Sequence, residues 1–337
     1  MPASTPTTTV QLQCMKQGGP LEIVHVPYPT PKEDEVLIRQ KVVAFNLVDT
    51  KQRDFAVRSS KFPCVLGLEG GGVVEAVGDG VTRFKVGDEV AGWEWEAFQE
   101  RVAAKEGMLF KKPSNLTLVE AASMPDCLVT AISAIVTALH IPLPFFSSLP
   151  AEGSPPSSVL ILGGASAVGA NAVQLLGVAY PSLPIIATAS SKHHSHITNL
   201  GASQVVDYKS SSVTADIKAA SPNGIGVDII IDCVAAGASQ TDICDALDKN
   251  GSKRYSSVFT GVDMPVLEGV NKIVTLVNLA LNRPRGNEII AEITKLVEKG
   301  IYKLPLPVRV IRYGLEALVD ILDEVKKASY KKPILIL

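Results

Sequence analysis

The sequence predicts an α/β protein: a β-rich barrel followed by a doubly wound parallel sheet. Three observations lead there. Val, Ile, Leu, Ala and Gly dominate the composition while aromatics make up only 5%, the palette of a sheet buried between helices. Residues 36–102 are a series of short apolar or alternating runs punctuated by glycine, as in a small irregular barrel. From residue 159 onward, apolar runs of strand length alternate with helical patterns, which calls for βαβ units.

In order, Val36–Ala44, Gly70–Gly78 and Val86–Gly92 supply barrel strands, and residues 118–124 and 128–139 read as helical. Residues 141–158 hold five prolines and are expected to form a surface loop. Val159–Leu162, Ile185–Thr188, Gln204–Asp207 and Val227–Asp232 are the expected parallel strands, with helices over 165–176, 194–200 and 213–220 between them. Helices over 287–299 and 314–327 and a closing strand over 333–337 complete the chain. No internal repeat is visible.

The net charge is −2 over 337 residues, so the chain has no electrostatic reason to seek nucleic acid or an anionic membrane. Apolar residues at 46% exclude disorder as the main state. The length suggests about two domains. Cys14, Cys64, Cys127, Cys233 and Cys244 show neither a C-x-x-C pair nor metal-ligand spacing, which points to buried thiols in a reducing compartment. Residues 1–10 lack the apolar core of a secretory signal, and no Arg precedes Arg39, so neither export nor a mitochondrial presequence is expected. The uncharged stretch from Cys127 to Pro150 is broken by Pro142 and Pro144 and is too short to span a membrane. A cytoplasmic protein is expected, monomeric or homodimeric.

Strand 159–162 runs through Gly163-Gly164-Ala-Ser166-Ala167-Val168-Gly169 into a helix. Small residues there let the backbone approach a pyrophosphate, and the helix N-terminus offers free N–H groups. The dinucleotide fingerprint G-x-G-x-x-G is present as Gly164-x-Ser166-x-x-Gly169, with serine in the middle place. An NAD site ends its second strand in Asp or Glu. This strand ends instead in Ser190-Ser191-Lys192-His193, and no acidic residue occurs between Glu152 and Asp207. Two hydroxyls and a cation suit the 2′-phosphate of NADPH. The alternative is that Lys192 and His193 merely start a solvated helix.

These residues resemble the medium-chain dehydrogenase/reductase superfamily over nearly the whole chain. The barrel signature is Gly67-x-Glu69-Gly70-x-Gly72-Val-Val-x-x-Val77-Gly78 followed by Lys85-Val-Gly87-Asp88-Glu-Val90. The resemblance implies a GroES-like catalytic domain over 1–125, a Rossmann NADPH-binding domain over 126–264, and a segment over 265–337 returning to the catalytic domain. Zinc-dependent members carry Gly-His-Glu where this chain has Gly67-Leu68-Glu69. Their early Cys ligand is missing from Phe45-Asn46, Asp126-Cys127 stands at the third ligand's place, and the four-cysteine structural lobe is absent. Leu cannot bind a metal, and one carboxylate with one thiol leaves a tetrahedral site incomplete, so no zinc is expected.

Asn46-x-x-Asp49-x-Lys51 is similar to the Asn-Pro-x-Asp-x-Lys segment of zinc-independent quinone and enoyl reductases, nearest the fungal trans-acting enoyl reductases. The resemblance implies that Val48, Asp49 and Lys51 line the nicotinamide, that the Thr130 hydroxyl faces it, and that Tyr208 packs near the adenosine. Val258 and Phe259 match cofactor-edge positions more loosely. Ser329-Tyr330-Lys331 stands where the fungal branch closes over the cofactor.

Without a metal, an alcohol substrate has no strong Lewis acid to polarise its oxygen, whereas hydride addition to a conjugated C=C bond spreads charge onto an enolate. The expected reaction is reduction of an enone, quinone or enoyl thioester by NADPH, the unsaturated carbonyl being free or carrier-bound. Lys51 is the candidate proton donor or orienting group, a solvated barrel lysine being the alternative. Asn46 either binds the substrate carbonyl or holds the loop. Glu69 is either a remnant of the zinc motif or a barrel carboxylate paired to a nearby base. Trp93-Glu-Trp95 either walls the pocket or packs the core. His193-His194-Ser-His196 invites a metal reading but stands where the cofactor phosphate is expected. A non-catalytic NADPH-binding protein of the same fold remains the competing reading.

Overall fold

The computed structural model describes residues 7–57, 61–93, 96–149, 153–260, 265, 269–325 and 330–337. Trp95 and Ser329 therefore lie outside the described residues. The chain divides into two compact units, one of residues 1–126, 290–299 and 307–337, the other of 127–289 and 300–306.

The strands and helices begin with β1 (Thr8–Cys14), β2 (Leu21–Pro27), β3 (Glu35–Ala44), α1 (Leu47–Phe55), β4 (Cys64–Val65), β5 (Glu69–Val77) and β6 (Glu89–Trp93). They continue with β7 (Arg101–Lys105), β8 (Leu109–Lys111), α2 (Leu118–Ala122) and α3 (Pro125–Ile132). Next come β9 (Val159–Leu162), α4 (Ala167–Ala179), β10 (Ile185–Ala189), α5 (His194–Asn199), β11 (Gln204–Asp207) and α6 (Val213–Ala220). The last are β12 (Ile229–Asp232), α7 (Ala236–Ser239), β13 (Arg254–Val258), β14 (Asn271–Thr275), α8 (Glu288–Glu298), β15 (Val308–Tyr313), α9 (Leu318–Val325) and β16 (Lys332–Ile336).

The first unit holds a sheet ordered β15-β16-β3-β5-β6-β8, with β7 also on β3, and a second sheet ordered β2-β1-β4. The central strand β3 is buried at eight of its ten residues, so its apolar run has protein on both faces. Leu12, Phe45, Leu66, Phe98, Leu318 and Leu335 form one core cluster, and Val36, Ile38, Val74, Val90 and Leu109 a second. The β1–β2 hairpin, α1 and β15 were not among the expected elements. β1 does alternate apolar and polar residues over Val10–Cys14, a signal the sequence carries, whereas α1 is polar at six of its nine positions and leaves little apolar periodicity to detect.

The second unit is a six-stranded parallel sheet ordered β11-β10-β9-β12-β13-β14. β9, Val-Leu-Ile-Leu, is buried at all four positions, as a central parallel strand requires. α4 starts because Ser166 caps it, accepting the Gly169 N–H at 3.0 Å. The helix expected over 128–139 is α-helical only to Ile132 and continues as a π-helical stretch, Ser133–Ala138. There Ser133 Oγ donates to Val277 O at 2.8 Å and accepts from Ala280 N–H at 3.0 Å.

One expectation is corrected. Residues 141–158 have no regular structure over their described positions, yet Ile141, Leu143, Phe146 and Leu149 are buried. Proline prevents helix and strand, but the apolar side chains still fold inward. Among the described residues no helix is long and apolar enough to cross a membrane.

Candidate active site

In the first unit, strand register brings the candidate residues together. β16 pairs antiparallel with β3 through Ile334↔Ala44, so the register carried two residues further sets Lys332 opposite Asn46. β3 pairs Ala44 with Glu69 on β5, and β5 pairs Glu69 with Trp93 on β6. The result is a buried polar cluster. Lys332 donates to Asn46 Oδ1 and stands 2.5 Å from Glu69 Oε1, the two ion-pair side chains being 6% and 0% exposed. Asn46 Nδ2 donates to Glu69 Oε1 at 2.9 Å. Glu69 Oε2 accepts the Asp126 N–H at 2.7 Å, and Asp126 Oδ1 accepts from Trp93 Nε1 at 3.1 Å.

Asn46 is also the N-cap of α1. It leaves β3 with extended backbone (φ −126°, ψ 153°), and its N–H is taken by Asp49 Oδ2 at 2.7 Å, half of a capping box. Asp49 is fully buried, and its Oδ1 has no hydrogen-bond partner among the described residues. Burial pushes its carboxyl well above the usual range, helped by nearby Asp126 and Glu69 and opposed by the Asn46 N–H and Lys332. Lys51, two residues on, is half-buried, and burial lowers its ammonium pKa. Val48, Asp49 and Lys51 thus share one short helix whose start is pinned by the cluster. Glu69 is the paired barrel carboxylate, and Trp93 is buried and bonded to Asp126.

In the second unit the phosphate loop is tied to the end of β10. Gly163 N–H donates to Thr188 Oγ1 at 3.0 Å and Gly164 N–H to Thr188 O at 2.8 Å. Gly163 has φ +77°, and a Cβ on Gly169 would stand 2.2 Å from Gly163 O, so neither position accepts a side chain. With Ser166 as cap, the N–H groups of Ala167 and Val168 open a helix of 13 residues, a geometry that fits a dinucleotide pyrophosphate. Ser190 follows β10, Ser191 and Lys192 are exposed, and His193 turns inward. Burial lowers the His193 pKa, with Lys192 and His196 adding to it. His194 Nε2 meets Ala189 O at 3.1 Å and His196 Nε2 meets Pro305 O at 2.7 Å, so the histidines serve separate backbone carbonyls.

Two residues escaped sequence reasoning. Lys332 is separated from Asn46 by 286 positions, and only the β3–β16 register reveals it. Asp207 pairs with Ala189 across β10 and β11, and its Oδ2 accepts the Ser191 N–H at 3.3 Å. The Lys209 and Ser191 N–H groups hold its carboxyl below the usual range. A carboxylate therefore does border the turn at Ser191, from the neighbouring strand. Thr130 is buried on α3, Tyr208 is exposed beside Lys209, Val258 is buried at the end of β13, and Phe259 is exposed with its N–H on Thr275 O. Asp232 accepts from Val234, Ala236 and Gly237 N–H and from the Tyr255 hydroxyl, which assigns it to holding the β12 end.

Residues 32–114 match the alcohol dehydrogenase GroES-like domain, and residues 200–329 the zinc-binding dehydrogenase domain. Dehydrogenase pigH of Monascus ruber is 35% identical over 228 residues, which are 63% of this chain and 60% of that protein. Trans-enoyl reductase tazE of Aspergillus terreus is 32% identical over 297 residues, 83% of this chain and 94% of the relative. The solved structure of mycobacterial Rv1454c complexed with NADPH superposes with TM-score 0.79 at 21% identity, covering 98% of this chain and all of that one. A zinc does not fit the residues present. Among the described residues no three His, Cys, Asp or Glu side chains are placed to hold a metal ion, while Glu69 holds Lys332 and Asp126 holds Trp93. Barrel signature, parallel sheet, phosphate loop and relatives agree: the chain belongs to the medium-chain dehydrogenase/reductase superfamily of oxidoreductases.

Proposed function

We propose that the protein is an NADPH-dependent, zinc-free reductase of an activated C=C bond in an enone, quinone or enoyl thioester. The observation that carries this reading is the buried Asn46–Glu69–Lys332 cluster, in which the carboxylate and amide are engaged by the lysine and by each other. An alcohol or isolated carbonyl would need a Lewis acid that this arrangement does not supply. A conjugated acceptor does not, because its charge delocalises. The trans-enoyl reductase of Aspergillus terreus among the relatives supports an unsaturated acyl substrate, and the reading extends to a role in a fungal secondary-metabolite pathway.

NADPH, when bound, supplies the hydride for the β-carbon. The N-terminus of α4 and Ser166 would hold the pyrophosphate, where Gly164, Ala167, Val168 and Gly169 keep the backbone accessible. Ser190, Ser191 and Lys192 would hold the 2′-phosphate through charge-assisted hydrogen bonds, and His193 backs their turn from the interior. Tyr208 would hold the adenosine, with Val258 and Phe259 as further cofactor contacts. Val48 and Asp49 in the first unit, and Thr130 in the second, are the residues proposed to contact the nicotinamide. Lys51 returns a proton to the α-carbon or orients the ribose, and burial moves its pKa in the direction a proton donor requires. Asn46, whose amide is engaged by Lys332 and Glu69, holds the start of α1. The reading takes the enzyme as cytoplasmic, monomeric or homodimeric, acting on a free or carrier-bound substrate.

The test is NADPH consumption at 340 nm against a panel of enones, quinones and enoyl thioesters. Turnover with one class, with the saturated product recovered, is the expected result. Tight NADPH binding with no turnover across the panel would instead mark a non-catalytic binder.

A further inference from the structure

Cys14 ends β1, and β4 pairs with it antiparallel through Gln13↔Val65 and Cys14↔Cys64. Directly opposed residues of such a pair share one face, with Cα atoms ~4.5–5.5 Å apart. Their Cα atoms then stand within the span a disulfide bridges. Both thiols are reduced; Cys14 is fully buried and Cys64 is partly exposed, packed against the same apolar cluster. Cys14 Sγ donates to Lys16 O at 3.1 Å. Burial, and then the neighbouring Cys64, push the Cys14 thiol up, as expected of two sulfurs side by side. The other three cysteines, Cys127, Cys233 and Cys244, lie in the second unit.

We propose that Cys14 and Cys64 are a disulfide-forming pair, oxidised by a hydroperoxide. The partly exposed Cys64 reacts first. Its thiolate attacks one peroxide oxygen, forming a sulfenic acid and releasing hydroxide, which takes a proton to become water. Cys14 sulfur then attacks the Cys64 sulfur, loses its proton and expels the sulfenic oxygen as a second water. Two thiols lose two electrons in all, and hydrogen peroxide gains them.

The bond has a defined structural consequence. It removes the S–H that Cys14 donates to Lys16 O, at the start of a turn tied to the C-terminal end of α1. In that turn Gly18 N–H donates to Arg53 O at 2.8 Å and Gln17 Nε2 to Asp54 O at 3.1 Å. The crosslink also closes the chain from 14 to 64, which contains the whole of α1 and Lys51. Oxidation is therefore coupled to the helix that carries the candidate catalytic lysine.

The experiment treats the full chain with a small excess of hydrogen peroxide, digests it without reduction, and maps the peptides by mass spectrometry. The expected result is one linked pair joining Cys14 to Cys64. Titratable thiols in the denatured protein should fall from five to three, with dithiothreitol restoring them. Cys64→Ser, at the partly exposed position, should fold, form no link and leave Cys14 reduced. Over-oxidation of Cys64 to sulfinic acid without a link, a link to any other cysteine, or five unchanged thiols would each overturn the proposal. No readout depends on reductase activity, so the pair stands or falls separately from the reaction proposed above.

Discussion

Lys332→Met should unfold the protein at a markedly lower temperature, because it removes the positive charge that pairs with buried Glu69. The wild-type pair stands at 2.5 Å with side chains 6% and 0% exposed, so water cannot replace the ammonium. Breaking such a pair by deleting one member costs roughly 3–5 kcal/mol. For units of this size each kcal/mol moves the midpoint by roughly 2–4 °C, which gives a drop of roughly 6–20 °C in a calorimetric or fluorescence melt. The double variant Lys332→Met/Glu69→Gln removes both charges while keeping an acceptor for Asn46 or the Asp126 N–H. It should recover well over 1 kcal/mol of the loss, a coupling read directly from the double-mutant cycle. A loss under about 1 kcal/mol for Lys332→Met would mean that the pair behaves like a surface salt bridge, and the cluster could not be what holds the start of α1.

Three further outcomes are expected. Lys51→Met, which keeps the apolar stem, should lower kcat about 10²-fold with NADPH affinity little changed if Lys51 donates the proton. A raised Kd with kcat preserved would make it an anchor instead. Because an acid must be protonated and burial lowers this ammonium's pKa, wild-type kcat should fall with rising pH below the ordinary lysine range of ~10.4. Lys51→Met should lose that limb. Lys192→Ala should narrow the preference for NADPH over NADH in paired titrations; an unchanged ratio would remove the 2′-phosphate assignment. Metal analysis of the purified protein should find no stoichiometric zinc, and one tightly held zinc per chain would contradict the reading of the barrel.

What was legible in the sequence was local. The strand–glycine–helix passage from Val159 to Gly169 declares itself through an apolar run, three glycines and a serine cap, all within eleven positions. The inner strand β9 stood out because burial on both faces leaves no polar residue to interrupt it, whereas the parallel strand β14, Asn-Lys-Ile-Val-Thr, carries polar residues and was not expected. Register was not legible. Lys332 and Asp207 reach the sites only because β16 lies on β3 and β11 on β10, and a strand's neighbours are not written in its own residues. The loop after His140 shows the same limit from the other side: prolines ruled out regular structure, but burial of Phe146 and Leu149 depends on what they meet in space.

The most direct test of the zinc-free C=C reduction uses chelator-treated enzyme, 4-deuterated NADPH and an enoyl thioester, with product analysed by mass spectrometry and NMR. One deuterium at the β-carbon, at a rate unaffected by chelation, is the predicted result. Deuterium at the carbonyl carbon as an alcohol, or activity that vanishes on chelation and returns with zinc, would contradict it.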